Sequence, residues 1–192
     1  GKHVGMLALA KTLKANCKNY INKDHIVQKK IFDNILQYSK IEPHNFSIDG
    51  CSVPTPFYSL HTIAKMYIKL INKEFPDLNI VYNAMTKYPY MVAGKNRFDT
   101  DFMLAMNKQG VSKGGGEAIQ GLVIKTKNGI ISMALKVLSG SHLVRDVAIM
   151  KVLTHLNLLS RSQLSKLESY ITKPIINHNN IQTGSVIAEI LE

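Results

Sequence analysis

Ser112-Lys113-Gly114-Gly115-Gly116-Glu117 is the strongest local chemical signal in the chain. Glycine lets a backbone approach a ligand closely and reach positive φ. Beside a lysine at a strand edge, such a run suits an anion or oxyanion cradle. It is not a P-loop. The Gly-x-x-x-x-Gly-Lys-Ser/Thr order is absent, and the run precedes a strand-like segment rather than a helix. A flexible exposed turn is the competing reading, because adjacent glycines weaken any regular element.

Lys2-His3 and Asp49-Gly50-Cys51 are the next candidates. Cys51 acts as nucleophile or soft ligand only where positive charge or a metal favours its thiolate. Otherwise a lone cysteine behaves as a small buried hydrophobe. Cys17 sits in a polar stretch and reads as incidental. His3 reads as a helix-start residue, and the other histidines show no metal-binding spacing. Asp99 and Asp101 flank Thr100 and read as helix caps. Ser-x-x-Lys does not occur in the 192 residues. A serine amidohydrolase would therefore need its nucleophile from outside them.

The elements that must carry these residues follow from periodicity. Residues 3–15 carry apolar groups at helical spacing, and Asp24 is expected to cap a second helix. Phe46-Ser47-Ile48 reads as extended. Thr55-Pro56 reads as the start of a third helix running to about Glu74, with proline in its first turn. A further helix is expected over 77–88, then a loop-rich stretch, then a short helix ending near Gly110. Ala118–Thr126 and Ile130–Leu138 are β-rich and flank Lys127-Asn128-Gly129, a hairpin signal. Ser141 is a candidate cap for a long helix, and another helix is expected over 161–171. The tail, TGSVIAEIL, alternates like a last strand, with a short helix as the alternative. This order is α+β, an antiparallel sheet flanked by helices, and not a repeating βαβ pattern. No linker-like stretch divides residues 1–192, so one domain is expected.

Hydrophobic residues make up 45% of the chain and charged residues 19%, which excludes a disordered protein. No apolar run is long enough for a transmembrane helix, and the first residues lack a signal-peptide cleavage site. The two cysteines form no disulfide framework, so a cytoplasmic location is expected. The net charge is +11. Its lysines are scattered, arginine is confined to Arg97, Arg145 and Arg161, and no zinc-finger or RNA-binding signature is present. No nucleic-acid or membrane partner is expected, and the alternative of a basic binding module ranks low.

Five stretches in order resemble the second L-asparaginase family, which is related in fold to serine β-lactamases and bacterial glutaminases. They are Gly1-Lys2-His3-Val4-Gly5-Met6-Leu7, Asp49-Gly50-Cys51-Ser52-Val53-Pro54-Thr55, the stretch Met91 to Thr100 (MVAGKNRFDT), Lys113-Gly114-Gly115-Gly116-Glu117, and Ala134-Leu135-Lys136-Val137. The similarity spans essentially the whole chain, set against the C-terminal portion of the family. Members carry a Ser-x-x-Lys pair, a second serine and a cysteine upstream of the matching Gly-Lys-His. The chain is thus expected to be a truncated or processed form with an incomplete β-lactamase/glutaminase-like fold.

The resemblance implies hydrolysis of the side-chain amide of asparagine to aspartate and ammonia, through a serine acyl-enzyme with lysines as bases. It implies a catalytic role for Lys113, with Lys125 a lesser candidate. It places His3, Asp49 and Arg97 at the substrate, Asp49 on the α-ammonium and Arg97 on a loop or carboxylate. It gives Lys2 and Cys51 as two of three zinc ligands, and lysine must lose its proton to bind zinc. A homodimer or a complementing N-terminal segment would be the protein partner. The alternative is a non-catalytic, truncated remnant of the family.

Overall fold

The computed structural model describes residues 1–191. The chain is α+β and groups into two compact units, residues 1–62 and 63–192.

In the first unit, helix α1 (Lys2–Thr12) and helix α2 (Ile26–Ser39) bury Met6, Ala10 and Val27, with Val53 completing a small core. Asp24 does not cap α2; the His25 ring accepts the Val27 N–H instead. Strands β1 (Asn45–Ile48) and β2 (Pro54–Phe57) form an antiparallel hairpin, pairing Asn45 with Phe57 and Ile48 with Pro54. Residues 54–57 are therefore strand, not the expected helix start. Val53 and Thr55 each precede a proline, which disfavours their helical region, and prolines are tolerated in a two-stranded edge. Helix α3 (Leu60–Lys69) begins only after the hairpin.

The second unit is built on a three-stranded antiparallel sheet of order β3-β4-β5. These are β3 (Gly110–Gly114), β4 (Ile119–Thr126) and β5 (Gly129–Lys136). Thr126 pairs with Gly129, so Lys127 and Asn128 make the two-residue turn. Strand β4 is central and buried from Gln120 to Ile124. Burial on both faces explains why its sequence does not alternate.

Helices α4 (Pro76–Lys87), α5 (Pro89–Ala93), α6 (Phe98–Met106) and α7 (His142–His155) complete the core of this unit, with α8 (Arg161–Lys166) beyond them. Phe98, Phe102, Met103 and Met106 of α6 pack with Leu122 and Ile124 of β4 and with Ile149, Met150 and Leu153 of α7. Ser141 caps α7 as expected, accepting the Val144 N–H. The helix expected over 161–171 stops at Lys166. A tight turn then carries Tyr170 onto Phe98, with ring centroids 5.2 Å apart. Strands β6 (Lys173–Ile176) and β7 (Gln182–Val186) form a last antiparallel hairpin. Among the described residues, no helix is long and apolar enough to cross a membrane.

Candidate functional site

The chemical residues gather in two groups, one in each unit. In the first unit, the β1–β2 turn is Asp49-Gly50-Cys51-Ser52, closed by Ser52 N–H donating to Asp49 O at 2.8 Å. Ser52 takes a positive φ of 71°. The turn brings Asp49 to Lys2, whose Nζ donates to Asp49 Oδ2 at 2.9 Å. The Cys51 thiol donates to the same oxygen at 3.4 Å, and the Gly50 N–H to Oδ1.

The hydrogen bonds from Lys2 and then Cys51 hold the Asp49 carboxyl below its usual range. Partial burial works against the Lys2 ammonium. Its hydrogen bonds and charge contacts with Asp49 and Cys51 outweigh that and raise its pKa. His3 is held elsewhere: its Nδ1 lies 2.8 Å from the Tyr20 hydroxyl.

This arrangement bears on zinc. Lys2 stands as an ammonium paired with a carboxylate and has no lone pair to offer. Among the described residues, no three His, Cys, Asp or Glu side chains come together as a metal set. Lys2 and Cys51 as placed therefore do not fit a zinc ion by themselves.

In the second unit, the carboxylate of Asp99 is the organising group, 5% exposed on α6. Its Oδ1 accepts from the Ser112 hydroxyl at 2.6 Å and from Gln120 Nε2 at 2.8 Å. Its Oδ2 accepts the Gly114 N–H at 2.8 Å, and Lys113 Nζ stands 4.0 Å from it. Gln120 Nε2 also donates to Ser112 Oγ at 2.6 Å. Asp99 is thus not the expected cap. Arg97 occupies the cap position of α6 without a side-chain bond, and Asp101 instead accepts the Tyr170 hydroxyl at 2.6 Å.

The network fixes β3 to α6 and leaves Lys113 at the strand end, half-exposed, with its ammonium donating to the Gly114 carbonyl. Tyr67 of α3 covers the opposite residue of the ladder, Gly121, where a Cβ would stand 2.2 Å from its ring. The Tyr67 hydroxyl faces Lys113 O at 3.4 Å. Burial, with the Asp99 charge behind it, pushes the phenol well above its ordinary pKa.

Of the two properties expected of these glycines, close approach is used and positive φ is not. None of Gly114, Gly115 and Gly116 has positive φ; that conformation falls on Glu117 and Ala118. Gly114 and Gly115 are needed for close approach. A Cβ on Gly114 would stand 2.4 Å from Arg145 Nη1, and one on Gly115 would stand 2.5 Å from the Ile119 side chain.

Arg145 is buried in the first turn of α7. Its Nε and Nη2 donate to Asp146 Oδ1 at 2.9 and 2.6 Å, and its Nη1 meets His142 Nδ1 at 3.1 Å. A guanidinium only donates, so His142 Nδ1 accepts and the ring proton sits on Nε2. Burial raises the Asp146 pKa more than the hydrogen bonds and charge of Arg145 lower it.

Lys113, Gly114, Gly115, Asp99, Arg97, His142 and Arg145 all line one cavity of about 180 Å³. At roughly 30 Å³ of liquid volume per water, that is space for about six waters. A cavity of about 510 Å³ in the first unit is bounded largely by Phe32, Ile35, Phe46, Ile48, Pro54 and Pro56, with Lys23, Asp24 and Lys29 as its charged groups.

The structure thus joins Lys2, Asp49 and Cys51 in one group and Arg97 with Lys113 in the other. Lys125 lies toward the far end of β4, its ammonium 5.0 Å from the Tyr82 ring centroid. Sequence reasoning missed Asp99 as an acceptor, gave Ser112 no partner, and missed Gln120, His142, Arg145 and Tyr67. Gln120 carried the one usable signal, as a polar residue inside an apolar strand.

No curated protein matches the chain. The family profile described as L-asparaginase II matches residues 1–188, nearly the whole chain. The chain belongs to the L-asparaginase II family.

Proposed function

We propose that the chain forms part of an amidohydrolase that converts L-asparagine to L-aspartate and ammonia through a serine acyl-enzyme. Family membership supports the reaction class. The observation that carries the reading is the placement of Lys113. It sits at the end of a strand anchored to the buried Asp99 and opens onto a small cavity lined by charged groups.

The serine oxygen attacks the side-chain amide carbon, and its proton passes to a lysine base. The C–N bond breaks, and the departing nitrogen takes a proton and leaves as ammonia. Water then cleaves the ester, giving aspartate and restoring the serine. Lys113 supplies positive charge beside that serine, where electrostatic stabilisation of the developing oxyanion is worth most. Ser-x-x-Lys is absent from the 192 residues, so the nucleophile pair comes from sequence beyond them.

Asp49 and His3 of the first unit are proposed as substrate contacts. Asp49 would have to exchange its Lys2 contact for the substrate ammonium. No step is assigned to zinc.

The test is ammonia and aspartate release from L-asparagine by the full-length protein. Equimolar release is expected. Absence of release at any protein concentration would overturn the reading and leave a non-catalytic member of the family.

A further inference from the structure

We infer that the 180 Å³ cavity is a carboxylate-recognition subsite, in which Arg145 and Arg97 hold the α-carboxylate of the amino-acid substrate. The inference deepens the amidohydrolase reading and rests on it for the identity of the ligand. Its physical basis is separate.

A guanidinium has five N–H groups. Asp146 takes those on Nε and one on Nη2, and His142 takes one on Nη1. Two N–H groups, one on each terminal nitrogen, remain for another acceptor. A residue 6% exposed keeps such donors only where something accepts them. The face that carries Nη1 is the one Gly114 leaves open, and Gly114 lines the cavity.

Charge points the same way. Arg97, Lys113 and Arg145 bring three cations, and Asp99 and Asp146 bring two carboxylates. One positive charge is left, matching one carboxylate. Arg97, His142 and Arg145 also border a recess of about 420 Å³, where Lys173 joins the cations but Asp101 and Asp146 lie on the wall. The charge balance is the same in both; the smaller cavity is distinguished by Lys113, the residue the proposed reaction places at the reacting group. Arginine suits it because its planar fork matches a carboxylate.

The probes are L-aspartate, L-asparagine and L-asparaginamide, whose carboxylate is replaced by a neutral amide. Binding to the full-length protein is read by titration calorimetry, for the wild type and for R97Q and R145K. Arg97 is exposed, so R97Q keeps the test valid if R145K fails to fold. Binding of L-aspartate, weakened at least about tenfold in either variant, is expected, as is failure of L-asparaginamide to compete. In turnover, R97Q should raise KM with kcat nearly unchanged.

L-asparaginamide binding as tightly as L-asparagine would overturn the inference. So would undiminished L-aspartate binding in R97Q and in folded R145K, or no carboxylate binding at all. Arginine-dependent L-aspartate binding without ammonia release would keep the subsite and remove the proposed reaction. Ammonia release with KM indifferent to both arginines would keep the reaction and remove the subsite.

Discussion

Arg145 occupies the space that a side chain at position 114 would need: a Cβ on Gly114 would fall 2.4 Å from its Nη1. The guanidinium is tied to Asp146 and His142 and cannot yield cheaply. Gly114→Ala is therefore expected to destabilise the protein by about 1–3 kcal/mol, the usual cost of forcing atoms into a filled site. Gly116 is the internal control. Nothing lies within 4 Å of a Cβ there and its φ is not positive, so Gly116→Ala should stay within about 0.5 kcal/mol of wild type. Urea unfolding of the two variants checks both. Equal stabilities would mean that Arg145 does not sit over Gly114.

Asp99 carries the next expectation. Removing its carboxylate strands the Ser112 hydroxyl, the Gly114 N–H and the Gln120 amide, all at the same buried place. Each unpaired buried donor costs about 1–3 kcal/mol before relaxation, so Asp99→Ala should lose roughly 2–5 kcal/mol in urea unfolding. A loss below about 1 kcal/mol would be the cost of an ordinary surface change and would contradict the network.

Lys2 and Asp49 give a pH dependence of known sign. The folded Asp49 pKa lies below its ordinary 3.8, so its contribution is present above that value and is lost as pH falls through the lower folded one. Lys2 is raised above 10.5, so its contribution is present below that value and is lost as pH rises through the higher folded one. The side chains are 50% and 41% exposed, and solvent screening holds the pair to under about 1 kcal/mol. Asp49→Asn should cost no more than that at pH 7, and the difference should shrink as pH drops below 3.8. Unfolding curves at the two pH values test this, and a difference that grew toward low pH would contradict the assignment.

How far these features were legible in the sequence depended on how local their causes were. The β4–β5 hairpin announced itself through Asn128-Gly129 between two β-rich runs, and Ser141 marked the start of α7. Thr55-Pro56 misled because proline also suits a helix start. The adjacent Val53-Pro54 repeats the same pre-proline bias toward extended backbone, and that pair decided the strand. Asp99 resembled a cap because capping is a short-range pattern. Its actual partners lie 13 to 21 residues away, across a strand pairing that periodicity cannot specify. The need for glycine at position 114 was equally hidden, since it depends on a side chain from α7. Family resemblance picked out Lys113 and Arg97, and the structure sets both on the same cavity.

Lys113 tests the central claim most directly. Its side chain is half-exposed, donates to the Gly114 carbonyl and stands 4.0 Å from the buried Asp99 carboxylate, so Lys113→Met should cost about 1–3 kcal/mol and leave the protein folded. If it supplies charge beside the reacting serine, the same substitution should lower kcat/KM for L-asparagine in the full-length protein by about 100-fold or more. The measurement is steady-state ammonia release by wild type and Lys113→Met, with folding checked by thermal melting. A folded variant that keeps kcat/KM within about threefold of wild type would contradict a catalytic role for Lys113.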